Sequence, residues 1–111
     1  MIFIETKIFT KQILSLLDDD EYKKLQTHLL SAPDSGKFIK GSGGLRKIRW
    51  KLTSKGKQGG VRVIYYWFTA MDKIIMLLAY PKSERDDLTI KQQQLLRNIV
   101  EEELNYEKRI I

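Results

Sequence analysis

The segment from Gly41 to Trp67 carries most of the side chains in this chain whose types could support chemistry. It combines lysines and arginines with two glycine pairs and a run of aromatic and β-branched residues, and it contains no acidic residue. Neighbouring cations repel one another and contribute no burial, so such a segment is costly to fold unless it faces a polyanion. The composition therefore predicts a surface that binds phosphate groups.

The first predicted strand of this segment distributes its cations over both faces of a sheet. Alternation places Lys47, Arg49 and Lys51 on the side of Leu45, and it places Arg46 on the other side. A single lysine of this kind is more often a solvated charge whose stem covers the sheet. For the cluster as a whole, a phosphate-binding surface is the better interpretation.

Further cations follow in the next loop, in the next strand and after the last strand. Lys55 and Lys57 belong to a glycine-rich loop that is otherwise typical of a soluble turn. Arg62 shares its side of the next strand with apolar and aromatic residues, and we expect it at the sheet edge of an otherwise buried row. Tyr80 and Lys82 belong to a segment that can meet Arg62 across the sheet, although Tyr80 alone is typical of a half-buried core aromatic.

Several common catalytic chemistries are excluded by residue type. The chain has no cysteine, which removes disulfides, thiolate nucleophiles and cysteine-based metal sites. Its only histidine, His28, cannot build a Ser-His-Asp triad or a multi-histidine metal site. The sequence has no Walker-type phosphate loop and no dinucleotide-binding glycine motif, which argues against nucleotide-driven chemistry. We therefore expect neither a metal nor another cofactor.

Length and charge predict one domain that spans residues 1–111. A chain of 111 residues can bury a single hydrophobic core, and its net charge of +6 favours an acidic partner. The N-terminus lacks a basic stretch followed by a long apolar one, and the longest apolar run, 74–79, is far shorter than the about 20 residues of a membrane span. We therefore expect a soluble cytoplasmic protein without a membrane partner.

The first half of the chain is expected to form one strand and two helices. Ile2–Glu5 is apolar and partly β-branched, as in a short strand. Hydrophobic-staple patterns then predict one helix that begins near Thr10 and a second that begins near Asp18.

The second half of the chain is expected to form three strands and a final helix. Strand-forming runs at 45–52, 61–69 and 73–80 are joined by connections short enough for an antiparallel meander. Thr89 and Gln92 then form a capping box that opens the last helix. The order β-α-α-β-β-β-α predicts a small α+β domain with an antiparallel sheet and its helices packed on one face.

Three stretches of this sequence resemble the motifs of one bacterial family. They are GSGGLRKIR at 41–49, SKGKQGGVRVIYY at 54–66 and AYPKSER at 79–85. They occur in the family's order and within its frame of strands and helices. The chain thus resembles toxins of the RelE/ParE superfamily, and most of all the HigB-like branch of type II toxin–antitoxin systems. The resemblance covers nearly the whole chain and implies a RelE-like domain.

The resemblance implies a ribosome-dependent endoribonuclease, or mRNA interferase, which acts as a metal-independent hydrolase. Toxins of this kind enter the ribosomal A site, beside the 16S rRNA, where they cut mRNA and inhibit translation. They are neutralised by an antitoxin encoded beside them, so a helix-turn-helix antitoxin is the expected protein partner. Operator DNA would be contacted only through the toxin–antitoxin complex.

The resemblance also assigns roles to individual residues. Arg62 matches the arginine that stabilises the transition state, Lys82 matches the cation after the last strand, and Lys55 and Lys57 match the basic loop, where Lys57 is the catalytic candidate. RNA-binding roles are implied for the other basic positions, which are Arg46, Lys47, Arg49, Lys51 and Lys55.

The sequence departs from the RelE pattern at three positions. Ser83 stands where many members carry a further arginine, Pro81 stands where glycine is usual, and Thr89 stands near the position of a catalytic tyrosine. Either Tyr80 replaces that tyrosine or the acid and base roles are distributed differently.

Two other functions are compatible with these residues. A ParE-like toxin would inhibit DNA gyrase without catalysis, and a housekeeping RNA-binding module would use the basic sheet only for phosphate contacts. RNA cleavage is favoured, because a gyrase inhibitor has no need for Arg62, Lys82 and Lys57 to converge.

Overall fold

The computed structural model describes residues 1–52, 60–85 and 87–110, and its elements confirm the α+β class. In chain order they are β1 (Ile2–Glu5), α1 (Lys7–Leu16), α2 (Asp19–Ser31), β2 (Lys37–Phe38), β3 (Arg46–Trp50), β4 (Val61–Phe68), β5 (Lys73–Pro81) and α3 (Ile90–Ile110). A short 3₁₀ helix, Thr69–Met71, joins β4 to β5. The two-residue strand β2 is an addition to the predicted order.

The strands form one sheet in the order β1-β5-β4-β3-β2. β3 pairs with β4 and β4 pairs with β5, both antiparallel, which confirms the predicted meander. β2 also pairs antiparallel, whereas β1 runs parallel to β5. The chain can enter this parallel position because α1 and α2 separate β1 from the meander.

The helices lie on both faces of the sheet, so the expectation that they pack on one face is wrong. α1 and α2 cover a core that includes Val61, Val63 and Tyr65 of β4. α3 covers a second core, which includes Ile64 and Phe68 of the same strand. Because β4 presents apolar side chains on both sides, each face must be covered, and one helical layer cannot do so.

Capping side chains set the starts of the first two helices. α1 begins at Lys7 and not near Thr10, because the Thr6 hydroxyl caps its first turn. The predicted start of α2 is confirmed, since the Asp18 carboxylate accepts a hydrogen bond from the Glu21 N–H at 2.8 Å.

The start of α3 confirms the predicted capping box. The Gln92 N–H donates to the Thr89 hydroxyl at 3.1 Å, and the Thr89 N–H donates to the Gln92 side-chain oxygen at 2.9 Å. No helix in the described ranges combines the length and the apolar character needed to cross a membrane.

Candidate functional site

Three candidate site residues form a row across the middle of the sheet. Arg49 of β3 lies opposite Arg62 of β4, and Arg62 lies opposite Tyr80 of β5. Directly opposed residues in antiparallel strands have Cβ atoms about 4.5–5.5 Å apart. Alternation places the row on the face covered by α3, because Tyr80 and Ile64 belong to the core beneath that helix. The fold therefore gathers two guanidinium groups and a phenol in one place.

Burial increases along this row from the β3 side inward. Arg49 is exposed, whereas Arg62 is only 6% exposed and Tyr80 only 2%. The expectation that Arg62 sits at the sheet edge is wrong, because β3 and β2 lie outside β4. Its predicted side of the strand is confirmed. A buried cation interacts with an anion more strongly than a surface cation does.

Gly60 holds the row in register. Its φ is +116°, and a Cβ added there would lie 2.5 Å from the Trp50 carbonyl oxygen. Only glycine permits this close approach of the two chain segments. Since Val61 pairs with Trp50 in the next position, the glycine also sets Arg62 opposite Arg49.

Lys82 lies at the end of β5, near the start of β4. Its N–H donates to the Gly60 carbonyl oxygen at 3.0 Å, and the Glu84 N–H donates to the Pro81 carbonyl oxygen at 3.0 Å. These bonds fix a turn that begins at Pro81, directly after Tyr80. The Lys82 side chain is exposed at the same end of the sheet as Arg62.

The segment between β5 and α3 adds two charged residues that the sequence did not single out. The Arg85 guanidinium carbon lies 5.9 Å from the centre of the Tyr80 ring, within cation–π range. The Asp87 carboxylate accepts a hydrogen bond from the Lys47 ammonium group at 2.7 Å. Only the presence of Arg85 in the AYPKSER stretch pointed toward the first of these contacts.

Arg46 does not join the row, because its guanidinium group supports the chain before β2. It donates to the Asp34 and Gly36 carbonyl oxygens at 3.1 and 2.8 Å, and it lies 3.9 Å from the centre of the Phe38 ring. Its side chain lies on the opposite side of β3 from Arg49. These contacts give Arg46 a structural role in the fold.

The remaining predicted site residues are distributed as follows. Lys51 is exposed directly after β3. Lys55 and Lys57 lie outside the described residues. Within the residues that the structure describes, no three His, Cys, Asp or Glu side chains cluster as metal ligands would.

No protein-family model matches this chain. Its fold is similar to that of a chain in the crystal structure of the intact E. coli RelBE toxin–antitoxin complex, with a TM-score of 0.52. The two sequences are 19% identical, and the match covers 72% of this chain and 94% of that chain. At this identity the similarity concerns the fold alone. The chain therefore has a small α+β fold of the RelE type.

Proposed function

We propose that this protein is the toxin of a type II toxin–antitoxin system and cuts mRNA in the ribosomal A site. The observation that carries the proposal is the row of Arg49, Arg62 and Tyr80 across β3, β4 and β5. We place the protein in the HigB-like branch on its three sequence motifs. Its fold, shared with a chain of a toxin–antitoxin complex, supports the toxin role.

The row suits cleavage of a phosphodiester by the neighbouring 2′-hydroxyl. The 2′-oxygen attacks phosphorus, the bond to the 5′-oxygen breaks, and a 2′,3′-cyclic phosphate remains. A base must take the 2′ proton, a cation must stabilise the charged phosphorane, and an acid must protonate the leaving oxygen. A site without histidine can meet these needs with arginine, lysine and tyrosine.

Arg62 is assigned to the phosphorane. Its guanidinium group can donate two parallel hydrogen bonds to phosphate oxygens. Its burial removes the guanidinium charge from bulk water, and Arg49 opposite it can supply a second phosphate contact. An arginine in this setting cannot serve as the base.

Proton transfer is assigned to Tyr80, Lys82 and Lys57. The Tyr80 hydroxyl can donate to the leaving oxygen from a position directly beside Arg62. Lys82 extends from the turn at the same end of the sheet.

We expect the ribosome to complete the active site by positioning the mRNA. His28 lies on α2, on the other side of the sheet from the row, so it supplies no acid or base there. A site of this kind depends on exact placement of the substrate, and the A site would hold the mRNA in line for attack. We propose cytoplasmic action, neutralisation by a helix-turn-helix antitoxin, and operator contact only through that complex.

Expression in bacteria tests the assignment. Wild-type protein should arrest translation, and transcript ends should map within codons of translated messages. Arg62→Gln should accumulate to the same level without new ends. Growth arrest with intact transcripts and inhibited gyrase would contradict RNA cleavage and favour a ParE-like function. No arrest and no new ends, with RNA binding retained, would favour a housekeeping RNA-binding module.

A further inference from the structure

A groove runs along the outer edge of β3, next to α2, and its function is not explained by the row. Its volume is about 600 Å³, and Ile48 and Trp50 form part of its lining. β2 pairs only with Arg46 and Lys47, so in the described chain it does not cover the end of β3 that lines this groove.

All charged side chains that line the groove, among the described residues, are basic. They are Lys24, Lys37, Lys47, Arg49 and Lys51. The Lys24 ammonium group lies 3.9 Å from the Glu21 carboxylate, and Lys47 is paired with Asp87, yet neither acid lines the groove. The charge of this edge therefore complements an anionic chain.

Two aromatic rings lie between these cations. The His28 and Trp50 ring centres are 5.6 Å apart, with an angle of 57° between the planes. The Trp50 indole N–H lies 3.3 Å from the Glu21 carboxylate, which holds the ring in place. His28 and Trp50 also line a second depression on the α2 surface, so the pair can be approached from two sides. Fixed rings between cations suit a base that stacks while its flanking phosphates are held.

Arg49 connects this groove to the candidate active site. It lies opposite Arg62 in the row, and it also lines the groove. A single RNA strand with its reacting phosphate at Arg62 can therefore cross the exposed edge of β3 at Arg49. Trp50 is the next residue along β3 and lies on the opposite side of the strand from Arg49, so an RNA strand that crosses this edge at Arg49 reaches the Trp50 ring next.

We propose that the groove between α2 and β3 binds one nucleotide of single-stranded RNA that flanks the phosphate at Arg62. Its base stacks on Trp50 and His28, and its phosphates contact Lys24, Lys37 and Lys51. The identity of the RNA as mRNA rests on the proposed function, whereas binding at this groove can be measured without cleavage. An acidic peptide also complements the charge, but it makes no use of a ring pair held in a fixed orientation.

Fluorescence offers a direct test, because the chain has two tryptophans. Trp67→Phe leaves Trp50 as the only tryptophan and removes an indole N–H that has no hydrogen-bond partner among the described residues. The ligand is a short 2′-O-methyl RNA, which lacks the attacking hydroxyl. Its binding should quench Trp50 in the Trp67→Phe protein. The reciprocal variant Trp50→Phe should show no quenching of Trp67.

Three further binding measurements test the subsite. An oligonucleotide with abasic positions should bind without quenching, because phosphates alone do not stack. His28→Ala and Lys24→Ala should each weaken binding by about three- to ten-fold, whereas Lys11→Ala on α1 should not change it. Arg62→Gln should retain the quenching even if cleavage is lost or never observed, which separates this subsite from the proposed function.

Any of three results with folded protein would overturn the proposal. The first is Trp50 emission that does not change on saturation with RNA, and the second is quenching by abasic RNA as strong as that by intact RNA. The third is stronger competition by a polyglutamate peptide than by RNA, which would make the groove a site for acidic protein segments.

Discussion

Arg49 and Arg62 lie directly opposite one another on β3 and β4, so two guanidinium groups share one position of the sheet. Like charges in directly opposed positions destabilise a sheet. A phosphate bound between the two cations would interact favourably with both, which is the role proposed for the pair. This relationship links the fold of the protein to its proposed chemistry.

Arg62 is expected to contribute to cleavage far more than to stability. Arg62→Gln should reduce the single-turnover cleavage rate by about 100- to 1000-fold, which is the usual effect of removing one donor from a transition-state site. Arg62→Lys should recover part of the rate, because it keeps the charge and loses the paired hydrogen bonds. Lys11→Ala is the matched control for loss of a cation elsewhere. A folded Arg62→Gln protein with the wild-type rate would make Arg62 a structural residue.

Lys82 is expected to act in the chemical step. Lys82→Ala should lower single-turnover cleavage by about 100-fold while the ribosome is bound as in the wild type. A phosphate contact would give another result, namely weaker binding with a salt slope smaller by about one unit. Measurement of binding and cleavage on the same variant separates the two roles. Cleavage at the wild-type rate once bound would exclude the chemical role.

The ion pair between Lys47 and Asp87 is expected to compete with RNA. Asp87 is 81% exposed, so its loss should change the free energy of unfolding by less than about 1 kcal/mol. Asp87→Asn removes one negative charge beside Lys47, so it should raise RNA affinity several-fold. The exposed Asp19→Asn on α2 serves as the control for a change of net charge. An unchanged or lower affinity would show that Lys47 does not contact RNA.

Sequence periodicity predicted the sides of the strands well. The placement of Arg62 with Ile64, the separation of Arg46 from Arg49 and the capping box before α3 all depend on spacing within one element. Local rules of this kind need no knowledge of the rest of the fold.

The errors have a common physical cause, since each depends on contacts between distant elements. α3 covers the second face because β4 is apolar on both sides, and α1 starts early because Thr6 caps it while its hydroxyl also donates to the Leu77 carbonyl oxygen. The contacts of Arg46 with the carbonyl oxygens of residues 34 and 36 could not be predicted for the same reason, because its own strand does not reveal them.

Tyr65 is expected to stabilise the fold at neutral pH. Its hydroxyl donates to the Pro33 carbonyl oxygen at 2.7 Å and accepts from the Gly36 N–H at 2.8 Å. Tyr65→Phe removes this partner from the buried Gly36 and the half-buried Pro33, so the free energy of unfolding should fall by about 1–3 kcal/mol. Denaturant unfolding at pH 7 measures this difference. A smaller loss than that of exposed Tyr106→Phe would contradict the role of Tyr65.

Stability is also expected to fall at alkaline pH. Burial raises the pKa of Tyr65, and burial together with the Glu5 carboxylate raises the pKa of Tyr22. The folded state therefore retains these protons after the unfolded chain has lost them, so stability is full below about pH 10 and declines above it. Each tyrosine should contribute a slope of at most about 1.4 kcal/mol per pH unit, and Tyr22→Phe or Tyr65→Phe should reduce the total slope. An unchanged slope in both variants would show that neither phenol controls alkaline unfolding.

Ribosome-dependent cleavage can be measured with purified protein and ribosomes that carry a defined mRNA with an occupied P site and an empty A site. We expect one cut within the A-site codon, a 2′,3′-cyclic phosphate on the upstream fragment, and no cut in the same mRNA without ribosomes or with Arg62→Gln. Intact mRNA in the wild-type reaction, with the protein shown to be folded and bound to the ribosome, would contradict this expectation.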